Sequence, residues 1–146
     1  MKHFICLAAA LLALPVRADV QHIDNEELAR LLASGATLVD IRTEPEWKET
    51  GIVAGSHLLT FFDDKGRYDA RAWMEKLSVL AKPDQPVVVI CRTGNRTRAV
   101  SDFLDRQAGY KKVYNVRQGI YGWLKEKRPV EPSTQTLAAC KSAGSC

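Results

Sequence analysis

Residues 87–97 read Val-Val-Val-Ile-Cys-Arg-Thr-Gly-Asn-Arg-Thr. Four β-branched residues in succession leave no polar face, the composition of a strand buried on both sides of a parallel sheet. Cys91 stands immediately beyond that strand. Gly94 and Asn95 are residue types that tolerate left-handed backbone, so the loop can turn sharply. From Arg96 or Thr97 to Gln107 the pattern is helical, with Ala99, Val100, Phe103 and Leu104 on one side and Gly109 near the stop. A buried strand that passes through a short loop into an amphipathic helix is half of a parallel crossover.

The flanking sequence repeats this grammar. Asp24 caps a predicted helix through Ser34, with Leu28, Leu31 and Leu32 on one face and Gly35 as a stop. A short apolar strand, Thr37 to Ile41, ends in Asp40-Ile41-Arg42. Thr43-Glu44-Pro45-Glu46 opens a short helix that carries Trp47 and stops at Gly51. An apolar stretch follows from Ile52 to Leu59, then a turn at residues 63–66. The 70–80 segment has helical spacing of Trp73, Leu77 and Leu80, and Pro83 and Pro86 punctuate the loop after it. Lys112 to Val116 reads as another strand and leads into a helix over residues 119–126. Strands alternating with helices predict a single domain built on an open α/β sheet with right-handed crossovers. Beyond Pro129 no period is visible, so residues 131–146 are expected to be a flexible tail and residues 19–130 the domain.

With 146 residues, the chain is long enough for one self-sufficient core. Lys2 and the apolar run from Phe4 to Leu14, ended by Pro15, read as an export signal. Cleavage is expected after Ala18, with the mature chain in the bacterial periplasm. That run is about eleven residues, against the roughly 20 that a spanning helix needs, so no membrane span is expected. Loss of Lys2 and Arg17 lowers the formal net charge from +4 to +2, too little to indicate a nucleic-acid partner. Neither metal-ligand spacing nor a dinucleotide fingerprint is present, so no metal and no cofactor is expected. Of four cysteines, Cys6 leaves with the signal. Cys140 and Cys146 can close a small disulfide loop, leaving Cys91 as the free thiol, or can act as resolving or partner-binding groups.

Ligands of open α/β sheets bind where strands end at their carboxyl edge, which is where Cys91 stands. A loop curled around Gly94 and Asn95 points successive amide N–H groups at its own centre. The following helix adds the positive end of its dipole, and Arg92 and Arg96 add full charge. These features favour the thiolate and create an anion-binding cup, so Cys91 is the candidate nucleophile and Arg92, Thr93, Gly94, Asn95, Arg96 and Thr97 the candidate anion-binding loop. No histidine base is needed. His22 and His57 belong to no evident Cys-His pair. Asp40 and Arg42 are candidate supports of the loop, or equally a buried ion pair holding the fold. Trp47, Trp73 and Trp123 read as packing residues.

From Ile23 to Val130 the chain resembles the rhodanese family. Cys91-Arg92-Thr93-Gly94-Asn95-Arg96-Thr97 is similar to that family's active loop, and Leu38-Val39-Asp40-Ile41-Arg42 to its strand-end Asp-x-Arg. Gly51 to Ser56 resembles its Gly-His-Ile-Pro-Gly-Ala turn, with Ile52 in place of the common histidine and Ala54 in place of the proline. Gln118-Gly119-Ile120-Tyr121-Gly122-Trp123 is similar to the late glycine-rich turn. The resemblance implies a doubly wound α/β domain, with a mostly parallel sheet flanked by helices, and sulfur transfer from thiosulfate or a persulfide, through a persulfide on Cys91, to a thiophilic acceptor such as cyanide or a thiol, including a protein thiol. One competing reading is a cysteine-dependent phosphatase, which normally places arginine six positions after the cysteine, where this chain has Thr97. Another is a non-catalytic or partner-specific sulfur-relay module. A thiol-disulfide oxidoreductase built on Cys140 and Cys146 lacks the usual two-residue spacing.

Overall fold

The structure is a computed structural model that describes residues 19–146; the expected export signal lies outside the described residues. Five strands, β1 (Gln21–Ile23), β2 (Thr37–Asp40), β3 (His57–Leu58), β4 (Val87–Ile90) and β5 (Val113–Val116), form one sheet in the order β1-β5-β4-β2-β3. Every pairing in it is parallel. The helices are α1 (Asn25–Ala33), α2 (Glu44–Thr50), α3 (Ala70–Leu80), α4 (Asn95–Arg106), α5 (Gly119–Lys125) and α6 (Thr134–Ala143).

Strand β4 lies at the centre and is buried at all four positions. Its side chains alternate between two cores, as the period of a strand requires. Val87 and Val89 enter the layer built with Trp73 and Leu77 of α3 and Val100 and Leu104 of α4. Val88 and Ile90 face Leu28 of α1 with Ile120 and Trp123 of α5. Helices on both faces make the fold doubly wound, in agreement with the reading of the sequence. Helix starts also follow the expected chemistry: Asp24 accepts the Glu27 amide at 2.9 Å and Asp69 the Ala72 amide at 3.0 Å. All three tryptophans are buried, as expected of packing residues.

Two features depart from the sequence reading. Strand β1 is only three residues long and pairs with β5, a contribution too short to show a period. The tail is also ordered. Ile52 and Glu131 exchange a pair of antiparallel backbone hydrogen bonds at 2.9 Å, and residues 134–143 form α6. Leu137 packs with Trp47, Ile52 and Leu58 in a third small core. The helix escaped detection because it buries this one side chain along its length, and a single apolar contact makes no amphipathic pattern. Cys140 and Cys146 are joined by a disulfide with Cα atoms 5.3 Å apart, which closes the end of α6.

A cross-link over so short a loop withholds about 2 kcal/mol of closure entropy from the opened tail. Replacing both cysteines by serine is therefore expected to speed amide hydrogen exchange over residues 134–143 by at least tenfold, with β4 and β5 unchanged.

Candidate active site

Cys91 follows the last residue of β4 and is the free cysteine among the described residues, with 1 % of its surface exposed. Its neighbours in the loop divide sharply by burial. Gly94 and Thr97 are buried, Arg96 is half-buried, and Arg92, Thr93 and Asn95 are exposed. The Gly94 N–H donates to Sγ at 3.2 Å, and Thr97 Oγ1 lies 3.3 Å from Sγ. Gly94 and Thr97 are thus the loop residues in contact with the sulfur.

The loop depends on two close backbone approaches. Gly94 has φ +89°, and a Cβ there would lie 2.1 Å from the Arg117 carbonyl oxygen. Gly119 has φ +56°, and a Cβ there would lie 2.4 Å from the Cys91 carbonyl oxygen. With side chains absent at both, the start of α5 docks on the loop: the Ile120 N–H donates to the Cys91 carbonyl at 2.9 Å and the Tyr121 N–H to that of Arg92 at 3.1 Å. These bonds satisfy carbonyls that would otherwise point into the cup, leaving its interior to N–H groups.

Arg96 is held bidentately by Glu46 at 2.9 and 2.5 Å. Burial works to raise the Glu46 carboxyl, but Arg96 and the Thr43 N–H and hydroxyl outweigh it and hold the group at about 2. Arg96 is itself raised, first by its hydrogen bonds with Glu46, against the opposing effect of burial, and further by charge and hydrogen bonding with Cys91. The guanidinium is thus paired with a carboxylate while its charge is felt at the sulfur. Arg92 takes a different course: its Nε donates to the Tyr121 hydroxyl at 2.6 Å and its guanidinium stacks 4.7 Å above that ring. It belongs to the rim.

Asp40 and Arg42 are fully buried and form a bidentate pair, with Nε 2.9 Å and Nη2 2.7 Å from the carboxylate oxygens. The remaining donors of Arg42 go to the Glu46 and Gly51 carbonyls and the Thr50 hydroxyl. The pair is therefore a bracket that fastens α2 to the end of β2. It reaches the loop only through Glu46.

Sequence reading did not single out four residues of this neighbourhood: Glu46, Asn115, His22 and Tyr121. Asn115 carried a signal, as an amide inside a strand otherwise made of Val and Tyr. The Thr97 hydroxyl donates to its Oδ1 at 2.5 Å. The sixth position after the cysteine is thus filled by a buried threonine turned inward, where a phosphate-gripping loop would present arginine. Among the described residues no cluster of His, Cys, Asp and Glu could hold a metal ion, and no helix is long and apolar enough to cross a membrane.

A profile of the Rhodanese-like domain matches residues 24–126. The chain belongs to the rhodanese-like family. It is 28 % identical over 127 residues to thiosulfate sulfurtransferase 18 of Arabidopsis thaliana, covering 83 % of this chain and 90 % of that protein. It is 31 % identical over 118 residues to a sulfurtransferase of Allochromatium vinosum, covering 76 % and 94 %. Among solved structures, a rhodanese-related protein of Thermoplasma volcanium superposes with a TM-score of 0.59 at 28 % identity, over 76 % of this chain and 97 % of the other. The polysulfide-sulfur transferase homodimer of Wolinella succinogenes gives 0.60 at 27 %, over 79 % and 80 %.

Two substitutions probe this rhodanese-like site. Gly94→Ala is expected to cost about 3 kcal/mol in urea unfolding, because the methyl group meets backbone in a left-handed conformation. Glu46→Gln should cost about 1 kcal/mol at pH 7. The carboxyl value is depressed in the folded state, so its contribution is complete above the ordinary value of 4.5 and lost as pH falls toward about 2. Unfolding curves of parent and variant should therefore converge over that acid interval.

Proposed function

We propose that this rhodanese-like chain is a sulfurtransferase that carries sulfane sulfur on Cys91. The observation that carries the reading is the meeting of the Gly94 N–H and the Thr97 hydroxyl at Sγ, at the carboxyl end of the central strand, with the Glu46-paired charge of Arg96 acting on the sulfur. The relatives named as sulfurtransferases support the class of reaction.

In the proposed cycle the Cys91 thiolate attacks the outer sulfur of thiosulfate. A new S–S bond forms at Sγ as the donor's S–S bond breaks, and sulfite leaves with the electron pair. A persulfide donor reacts likewise and releases a thiolate. A thiophilic acceptor, cyanide or a thiol, then attacks the outer sulfur and returns Cys91 as thiolate, so that two moderate steps replace one difficult one. The N–H groups and Arg96 stabilise the anionic sulfur in both steps. Arg92, stacked on Tyr121 at the rim, attracts an anionic donor toward the exposed side of the loop. We further place the reaction outside the cytoplasm, supported by the export-signal pattern of residues 1–18 and by the Cys140–Cys146 disulfide, a bond that oxidising compartments maintain.

Intact mass spectrometry after thiosulfate treatment is expected to show a gain of about 32 Da, one sulfur atom held covalently. Cys91→Ser should abolish it, and cyanide should discharge it as thiocyanate. Absence of the gain with thiosulfate and polysulfide, in protein whose Cys91 is reduced, would replace catalysis of small-donor chemistry by relay from a dedicated protein partner.

A further inference from the structure

The hydrogen bonds behind Cys91 extend well past the loop. Thr97 Oγ1, 3.3 Å from Sγ, gives its hydrogen to Asn115 Oδ1 at 2.5 Å. Asn115 Nδ2 lies 2.9 Å from His22 Nδ1 and makes a weak 3.4 Å contact with the Gly94 carbonyl. Thr97 and Asn115 are buried, whereas His22 is exposed on the edge strand. The parallel register creates this line, setting His22 of β1 and Val89 of β4 on either side of Asn115. A polar chain therefore runs from the sulfur through the core to a solvent-facing ring.

A hydroxyl has one hydrogen. While Thr97 gives it to Asn115, only oxygen lone pairs face the sulfur, which suits a thiol donating its S–H and opposes a thiolate or persulfide anion. An anionic sulfur calls for the hydroxyl to turn toward it. That turn would leave Asn115 Oδ1 facing the Thr97 oxygen with no hydrogen between two buried acceptors, an arrangement that low dielectric makes costly. Rotation of the amide removes that conflict and gives up only the weak Gly94 contact, with Nδ2–H then donating to Thr97 Oγ1 and Oδ1 meeting His22. The ring must now carry a hydrogen on Nδ1, which an exposed imidazole takes from water while releasing the one on Nε2.

We propose that Asn115 and His22 are positioning residues for Cys91, forming with Thr97 a hydrogen-bond chain whose sense reverses when the sulfur becomes anionic. The thiol proton leaves to solvent; only hydroxyl and amide rotations and a tautomer exchange at His22 occur along the chain. On the elements that form the chain, Arg96 at the start of α4 is paired with Glu46, and Asp24 and Arg117 directly follow β1 and β5. The idea rests on Cys91 being the functional thiol, but the reversal follows from its ionisation alone and needs no sulfur donor.

The test is an NMR titration of the purified full chain with 15N-labelled histidine, with Cys91 ionisation followed by the ultraviolet absorbance of the thiolate. In the parent, the His22 ring nitrogens should shift from the Nε2–H toward the Nδ1–H signature in step with thiolate formation. Cys91→Ser and Thr97→Val should each remove that component, and Thr97→Ser should keep it. Asn115→Leu should slow persulfide loading of Cys91 by about tenfold, the worth of one hydrogen bond to an anion, with no added loss in a Thr97→Val background. Identical His22 behaviour in the parent, Cys91→Ser and Thr97→Val would overturn the chain even if sulfur loading proceeds. Coupled His22 signals in a protein that takes up no sulfur would instead sustain the chain and defeat the sulfurtransferase reading.

Discussion

The approach of two backbone segments, one at each end of the sulfur loop, is the constraint on which this site depends. Gly94 passes under the Arg117 carbonyl and Gly119 under those of Cys91 and Arg92, at separations that no Cβ permits. Because the turn after β5 can sit this close, its amides take up the Cys91 and Arg92 carbonyls. The loop is then held curled, with the Gly94 N–H at the start of α4 facing the sulfur. Packing of α5 against β4 and β5 maintains the contact from behind, through Ile120 and Trp123. A small cup of backbone donors is thus stabilised by the burial of two helices and not by its own few hydrogen bonds.

Charge is arranged around that cup in a relay of brackets. The buried Asp40–Arg42 pair would be a weak contributor to stability if it stood alone, since desolvation offsets much of its attraction. Its value lies in geometry: every donor of the guanidinium is committed, with two bonds to α2 and one to Gly51 just beyond it. That placement sets Glu46, which fixes Arg96 beside Cys91. Trp47 on the same helix packs on Leu137 of α6, so the disulfide-closed tail stabilises the helix that orients the active-site arginine. Residues some fifty positions apart in the chain become neighbours because β2 and β4 are adjacent strands ending at one edge.

The same edge explains why the sulfur is served by hydrogen bonds from two directions. On the loop side it meets the Gly94 amide. On the core side it meets Thr97 and, through it, Asn115 of β5 and His22 of β1. An amide in the interior of a central strand is expensive unless each of its groups is matched. Asn115 meets that condition with Thr97, His22 and Gly94 as partners.

Much of this was legible in the chain itself. The Val87–Ile90 run, the single cysteine after it, and the Gly94-Asn95 turn determined a parallel α/β fold and a reactive thiol at a strand end, because buried strands and left-handed turns admit few residue types. Local caps and periodic faces likewise determined α1, α3 and α4. Tertiary structure decided what local patterns cannot express. The strand β1 exists because β5 offers an open edge, and α6 because Trp47 and Ile52 offer a floor to Leu137. Arg96 turns inward and Arg92 outward because Glu46 and Tyr121, distant in sequence, wait on opposite sides of the loop. Asn115 is set between His22 and Val89 by strand register and tied to the sulfur through Thr97 of α4. Backbone preference and burial act over a few residues and can be read in order, whereas the matching of a buried donor to its acceptor is settled only when the sheet brings them together.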